Sequence, residues 1–159
     1  MTDFEGLLRA LTSVGVDFIL VGGVAARAHG SARLTQDLDV VYSRAPDNVA
    51  RLVAALEPLE AYLRGAPPGL PFVLDVATVT RGLNFTLTTR LGDLDLLGEI
   101  TGGGRYEDLL TGTLELSLFG LRCRCLSLES LIHVKRAAGR PRDLEAIAEL
   151  EALREERDR

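Results

Sequence analysis

Asp37-Leu38-Asp39 opens a short apolar run ending at Tyr42, and this alternation of charge and hydrophobe restricts the segment to a strand with one polar face. Along a strand alternate side chains share a face, so Asp37 and Asp39 point one way while Leu38, Val40 and Tyr42 point into a core. Their Cα atoms lie roughly 6.5–7 Å apart by strand rise. Carboxylates so spaced can lean toward cations held about 3.5–4 Å apart, as in two-metal phosphoryl-transfer sites. Gly22-Gly23 ends an earlier strand, and Asp95 lies on a later one, inside Gly92-Asp93-Leu94-Asp95-Leu96-Leu97. Three carboxylates on neighbouring strands predict a divalent-metal site that handles phosphate.

A chain of 159 residues with 47% hydrophobic and 26% charged residues has enough apolar surface for one folded domain. We expect a single domain over 1–159, with an α/β core over 1–126 and helices over 127–159. The formal charge of −5 gives no global attraction to nucleic acid, so any polynucleotide would need a local basic patch. The apolar run Phe18 to Ala26 is too short to cross a bilayer, and Met1-Thr2-Asp3-Phe4-Glu5 lacks a basic stretch followed by an apolar block. A cytoplasmic location with no membrane partner is the expectation. Cys123 and Cys125 alternate with Arg122 and Arg124, which puts the thiols on one strand face. As same-face neighbours, with only His29 and His133 elsewhere, they read as buried small hydrophobes.

The segment order is legible from periodicity and punctuation. Thr2 and Glu5 suggest a capping box for an amphipathic helix over 3–13, ending near Gly15. A strand over 17–21 breaks at Gly22-Gly23, and Val24 to His29 is a short helix. A loop over 31–36 leads into the strand 37–42. Pro46 starts a helix through Leu56. Residues 58–71 carry four prolines and two glycines and read as a surface excursion, followed over 74–80 by a short helix or a strand, between which periodicity does not decide in so few positions. Strands are expected over 83–89 and 94–100, joined around Leu91-Gly92-Asp93, so that Asp93 is solvated in a turn. One or two helical turns over 106–110 precede a hairpin of 113–118 and 121–126. Ser127 caps a helix ended by Gly139, and Pro141 begins the last helix.

Taken in order, Val21-Gly22-Gly23, Asp37-Leu-Asp39 and Asp95 resemble the DNA polymerase beta-type nucleotidyltransferase superfamily. Gly22-Gly23-Val24-Ala25, His29-Gly30, Arg33 to Asp39, Leu91 to Glu99 and Lys135 to Asp143 are similar to the bacterial group of abortive-infection nucleotidyltransferase toxins. The resemblance implies an α/β (α+β) fold with a mixed central sheet flanked by helices. It implies transfer of a nucleoside monophosphate from a nucleoside triphosphate to an acceptor hydroxyl, with Mg2+ or Mn2+ held by Asp37, Asp39 and Asp95. The implied acceptors are an RNA 3′ end such as that of tRNA, a protein, or a small aminoglycoside-like molecule, and the implied partners include a cognate toxin or antitoxin. The alternative is a catalytically silent nucleotide- or partner-binding module.

Around the acids, Gly22 and Gly23 let backbone approach a triphosphate. Arg33 and Thr35 could hold phosphate oxygens or orient Asp37, or Arg33 could simply pair with a surface acid. Lys135 is the only lysine among 18 basic residues, a compact charge suited to a phosphate. Arg122, Arg124, Lys135, Arg136, Arg140 and Arg142 could form a basic stripe. Asp143 reads as a helix-terminal partner of Arg140 or Lys135, and His29 as a helix-end side chain on nearby carbonyls.

Overall fold

The strand Asp37–Tyr42 (β2) lies in the middle of a seven-stranded sheet, and its neighbours explain both the core and the polar face. In the computed structural model, which describes residues 1–159, β2 pairs antiparallel with Phe18–Val21 (β1) and parallel with Gly92–Leu97 (β5). Beyond β5 come Phe85–Thr89 (β4) and the two-residue edge strand Tyr62–Leu63 (β3), both antiparallel to their neighbours. Beyond β1 the order continues with Leu121–Leu126 (β9), parallel to β1, and Thr113–Leu118 (β8). Glu99–Ile100 (β6) and Gly104–Arg105 (β7) form a separate ribbon. The sheet is mixed, as expected.

Helices cover the sheet. Phe4–Ser13 (α1) packs on Pro46–Leu56 (α3), which also meets Val76–Arg81 (α4). Gly22–Ala28 (α2) packs on β1 and β2 and touches Leu128–Ala138 (α6), which in turn packs along Pro141–Arg157 (α7). Tyr106–Leu109 (α5) is one turn before β8. Leu38, Val40 and Tyr42 are fully buried, with Leu94 and Leu96 beside them on β5 and Ile19 and Leu20 on β1. Burying such side chains stabilises the fold by about 1.5–3 kcal/mol each.

Several boundaries differ from the sequence reading, each for a local reason. Asp3, not Thr2, caps α1, accepting from Gly6 N–H at 2.8 Å, because Thr2 is drawn across to β5, where its hydroxyl accepts from Asp93 N–H at 3.1 Å. The helix α2 begins at Gly22 itself, whose φ of +67° turns the chain sharply out of β1. β5 begins at Gly92, so Asp93 is a strand residue paired opposite Asp37 and not a turn residue. The run expected over 94–100 divides at Gly98, whose N–H donates to Leu83 and to the Asn84 side chain. The proline-rich excursion contains a 3-10 turn over Glu57–Leu59 and β3. Both cysteines are buried and free, as expected; burial pushes the Cys125 thiol up to about 12.

Asn48, fully buried in the first turn of α3, ties three elements together. Its side chain accepts from Asp17 N–H at 2.7 Å and donates to the Asp17 carbonyl at 3.1 Å and the Ser43 carbonyl at 2.8 Å, joining the approach to β1 with the exit of β2. Asn48→Ala removes the side-chain partner of the Asp17 N–H and of the Ser43 carbonyl, while the Asp17 carbonyl keeps the Ser43 N–H, and is expected to destabilise the protein by about 1–3 kcal/mol, measured by urea unfolding.

Candidate active site

The register of β2 on β5 sets Asp37 opposite Asp93 and Asp39 opposite Asp95, two rungs of carboxylates on one sheet face. One oxygen from each of Asp37, Asp39 and Asp95 lies within 4.8 Å of the others. Like charges this close repel, and each acid needs a cation or a proton. The structure supplies one cation directly, from a residue the sequence reading left in a loop.

Arg64 follows β3 at the sheet edge, with its N–H donating to the Thr86 carbonyl at 3.0 Å. Its guanidinium donates to Asp95 Oδ1 at 2.8 Å and lies 3.6 Å from Asp37 Oδ2 and 3.5 Å from Asp93 Oδ1. The Leu87 carbonyl accepts from the same group at 2.7 and 3.2 Å. Two residues are too few to show strand periodicity, and the surrounding prolines and glycines pointed to a loop, so Arg64 escaped notice. Asp93 carried a signal that went unused, since a residue two positions from Asp95 shares its face.

Asp39 is different: its Oδ1 is buried with no hydrogen-bond partner. Burial first, then the charges of Asp95 and Asp37, push its carboxyl up to about 8, with Lys135 opposing. Gly22 makes the room, since a Cβ there would lie 2.1 Å from Asp39 Oδ2, and one on Gly23 would lie 2.5 Å from Thr35 Oγ1. The glycine pair is therefore required by the protein's own packing, whatever it offers a ligand. An unsatisfied carboxylate oxygen among three converging acids suits a hard divalent cation with oxygen ligands.

A cleft of ≈ 450 Å³ brings together Gly22, Gly23, Arg33, Thr35, Asp37, Asp39, Asp95 and Lys135, the residues assigned from sequence to metal and nucleotide, with Arg140 and Arg142 of the expected basic stripe. The Thr35 hydroxyl donates to the Asp37 carbonyl at 3.3 Å, which fixes the start of β2. Arg33 lies 3.7 Å from Glu145, the surface pairing named as its alternative role, while still lining the cleft. Glu149 on α7 accepts from Ser31 Oγ at 2.5 Å and from Ala32 N–H at 3.1 Å, which clamps the loop before β2 against the last helix.

Asp143 is buried and pairs with both Arg140 (2.6 Å) and Lys135 (3.5 Å), the helix-terminal role expected of it. Hydrogen bonds from Arg140 hold its carboxyl below the usual range. The expected basic stripe is largely spent on such pairs: Arg122 and Arg124 lie near Glu115, and Arg136 pairs with Glu151. His29 Nε2 lies 2.8 Å from the Leu126 carbonyl, a helix-end contact as read from sequence. A second cavity of ≈ 470 Å³ shares Gly22, Asp39, Leu97, Lys135, Arg140 and Asp143 with the first and extends past Glu99, Ile100 and Leu131. Of the three converging acids, Asp39 stands where the two cavities meet.

No protein-family model and no curated protein matches the chain. Solved structures do resemble it. The lincosamide antibiotic adenylyltransferase LnuA in its lincomycin-bound form has a TM-score of 0.61 at 15% identity, covering 96% of this chain and 98% of that one. ANT(2″)-Ia in complex with adenylyl-2″-tobramycin has a TM-score of 0.54 at 17% identity, covering 94% and 91%. An antigenic nucleotidyltransferase-like protein from Paracoccidioides brasiliensis has a TM-score of 0.55 at 16% identity, covering 96% and 78%. The chain has the polymerase beta-type nucleotidyltransferase fold.

Two outcomes follow from this packing. Gly22→Ala forces a Cβ into Asp39 at a positive φ and is expected to cost about 2–3 kcal/mol of stability, measured by thermal or urea unfolding. In the folded protein Asp39 holds its proton to about pH 8, against 3.8 as the ordinary value. Its contribution to stability is therefore complete below the unfolded value and is lost as pH rises toward the folded one. Urea titrations without divalent cations should show stability falling between about pH 4 and about pH 8. Asp39→Asn, whose amide can donate to Asp95, should flatten that slope and gain about 2 kcal/mol at the upper end.

Proposed function

We propose that this chain transfers a nucleoside monophosphate from a nucleoside triphosphate to an acceptor hydroxyl, with Mg2+ or Mn2+ held by Asp37, Asp39 and Asp95. The observation that carries the reading is the buried, unpartnered Asp39 oxygen among converging carboxylates, beside a glycine turn and a cleft with basic residues on its wall. When bound, the metal would lower the acceptor's pKa and neutralise charge on the transferring phosphoryl group. The chain's own groups bind and orient. Gly22 and Gly23 leave backbone open at the turn, and Lys135, Arg33 and Arg142 offer cations to phosphate oxygens from the cleft wall. Asp37, Asp39 and Asp95 are the residues we assign to the metal and the chemistry.

The acceptor belongs in the second cavity, which meets the first at Asp39. Its lining holds three acids, Asp39, Glu99 and Asp143, and its cations Lys135 and Arg140 are already paired with Asp143, so an RNA backbone would find few partners there. A protein or small-molecule hydroxyl fits this charge pattern better than an RNA 3′ end. LnuA and ANT(2″)-Ia, solved with lincomycin and adenylyl-2″-tobramycin, make a compact hydroxylated molecule a natural acceptor to try. A toxin–antitoxin or phage-defence role, with a cognate protein as acceptor, is supported by the sequence resemblance.

One observation favours the silent-module alternative: Arg64 already pairs with three of the acids. Incubation with Mg2+, α-labelled triphosphates and fractionated acceptors separates the readings. Transfer of label to an acceptor, falling on the order of 10²-fold or more in Asp37→Asn, Asp39→Asn and Asp95→Asn, is the expected result. Triphosphate binding that is indifferent to Mg2+ and to Asp39→Asn, with no label transferred, would establish the silent module instead.

A further inference from the structure

We propose that Arg64 is a tethered counter-cation of the acidic centre, which a divalent metal must displace to bind. The inference rests on the metal assignment above and adds a residue that competes with the metal. Asp95 Oδ1 and Asp37 Oδ2, oxygens of two assigned ligands, lie 2.8 and 3.6 Å from the guanidinium. Lys135 is the other cation near the acids, and it is 3.5 Å from Asp143. Arg64 is thus the cation in ion-pair contact with the cluster.

The geometry also shows how the arginine can yield without being stranded. Its backbone is fixed to β4 through the Thr86 carbonyl, and its Nε faces Asp93, which is not one of the three converging acids, as well as the Leu87 carbonyl. A rotation about the terminal bonds can release Asp37 and Asp95 while Asp93 and Leu87 retain the group. A guanidinium cannot deprotonate to make way, so displacement requires movement of the side chain. The consequence is a metal affinity set lower than the four carboxylates alone would give, and a metal-free cluster that stays neutralised enough to fold.

The test compares the wild type, Arg64→Met and Arg64→Lys by titration with Mn2+ alone, reading free Mn2+ by its EPR signal, together with thermal unfolding in EDTA and in Mg2+. Arg64→Met should bind Mn2+ roughly tenfold more tightly than wild type. It should melt lower in EDTA and gain more from Mg2+. Arg64→Lys, with a compact charge that spans fewer acids, should fall between. Should Arg64→Met not fold without metal, the Arg64 Nε–H resonance of the wild type should still move on addition of Mg2+. Equal or weaker Mn2+ binding in Arg64→Met, or an Arg64 signal indifferent to Mg2+ that the protein does bind, would overturn the displacement while leaving the metal site standing. Absence of Mn2+ binding by every form, wild type included, would overturn the metal assignment and the displacement with it.

Discussion

Parallel pairing of β2 with β5 concentrates negative charge in one place, and much of the rest of the molecule serves to make that tolerable. Asp37 with Asp93 and Asp39 with Asp95 bring four carboxylates onto one face of two adjacent strands, while the opposite face supplies Leu38, Val40, Leu94 and Leu96 to the core. The two faces cannot be separated. A shift of one residue in register would bury the acids and expose the leucines, so the hydrophobic core enforces the polar cluster. The cluster in turn is relieved by three devices: the Arg64 guanidinium, the nearby Lys135 charge, and a proton retained on Asp39.

Much of this was legible in the sequence, for reasons that differ by element. The strands carrying Asp37–Tyr42 and Leu121–Leu126 emerged with their observed bounds, because alternation and flanking turn residues agreed. The helices α6 and α7 followed from Ser127, Gly139 and Pro141, whose backbone roles are local. Arg64 did not emerge, because its placement is decided by three strands remote in sequence and by an edge strand too short to carry a pattern. Asp93 was assigned to a turn, because a glycine followed by an aspartate is common in turns, and only the pairing with β2 places Gly92 inside the strand.

The glycine pair illustrates how one sequence feature can satisfy two demands. From sequence, Gly22 and Gly23 were read as room for a ligand's phosphates. In the fold, the space beside each is taken by Asp39 and Thr35 of the same chain. The turn therefore brings the start of α2 against the acidic strand, and the cleft opens beside it. Small side chains at this turn are a packing requirement first, and a ligand would benefit from a shape that already exists.

The two sides of the cleft come from distant parts of the chain. The converging acids and Arg64 precede residue 96, whereas Lys135, Arg140 and the Glu149 clamp on the Ser31 loop lie on α6, α7 and the link between them. During vectorial synthesis a ribosome would release the acidic strands well before their basic wall exists. The nascent sheet can neutralise itself with Arg64 in the interval, and the cleft takes shape only once the last helix docks. Assembly order thus leaves the cleft unfinished until the last helix is in place.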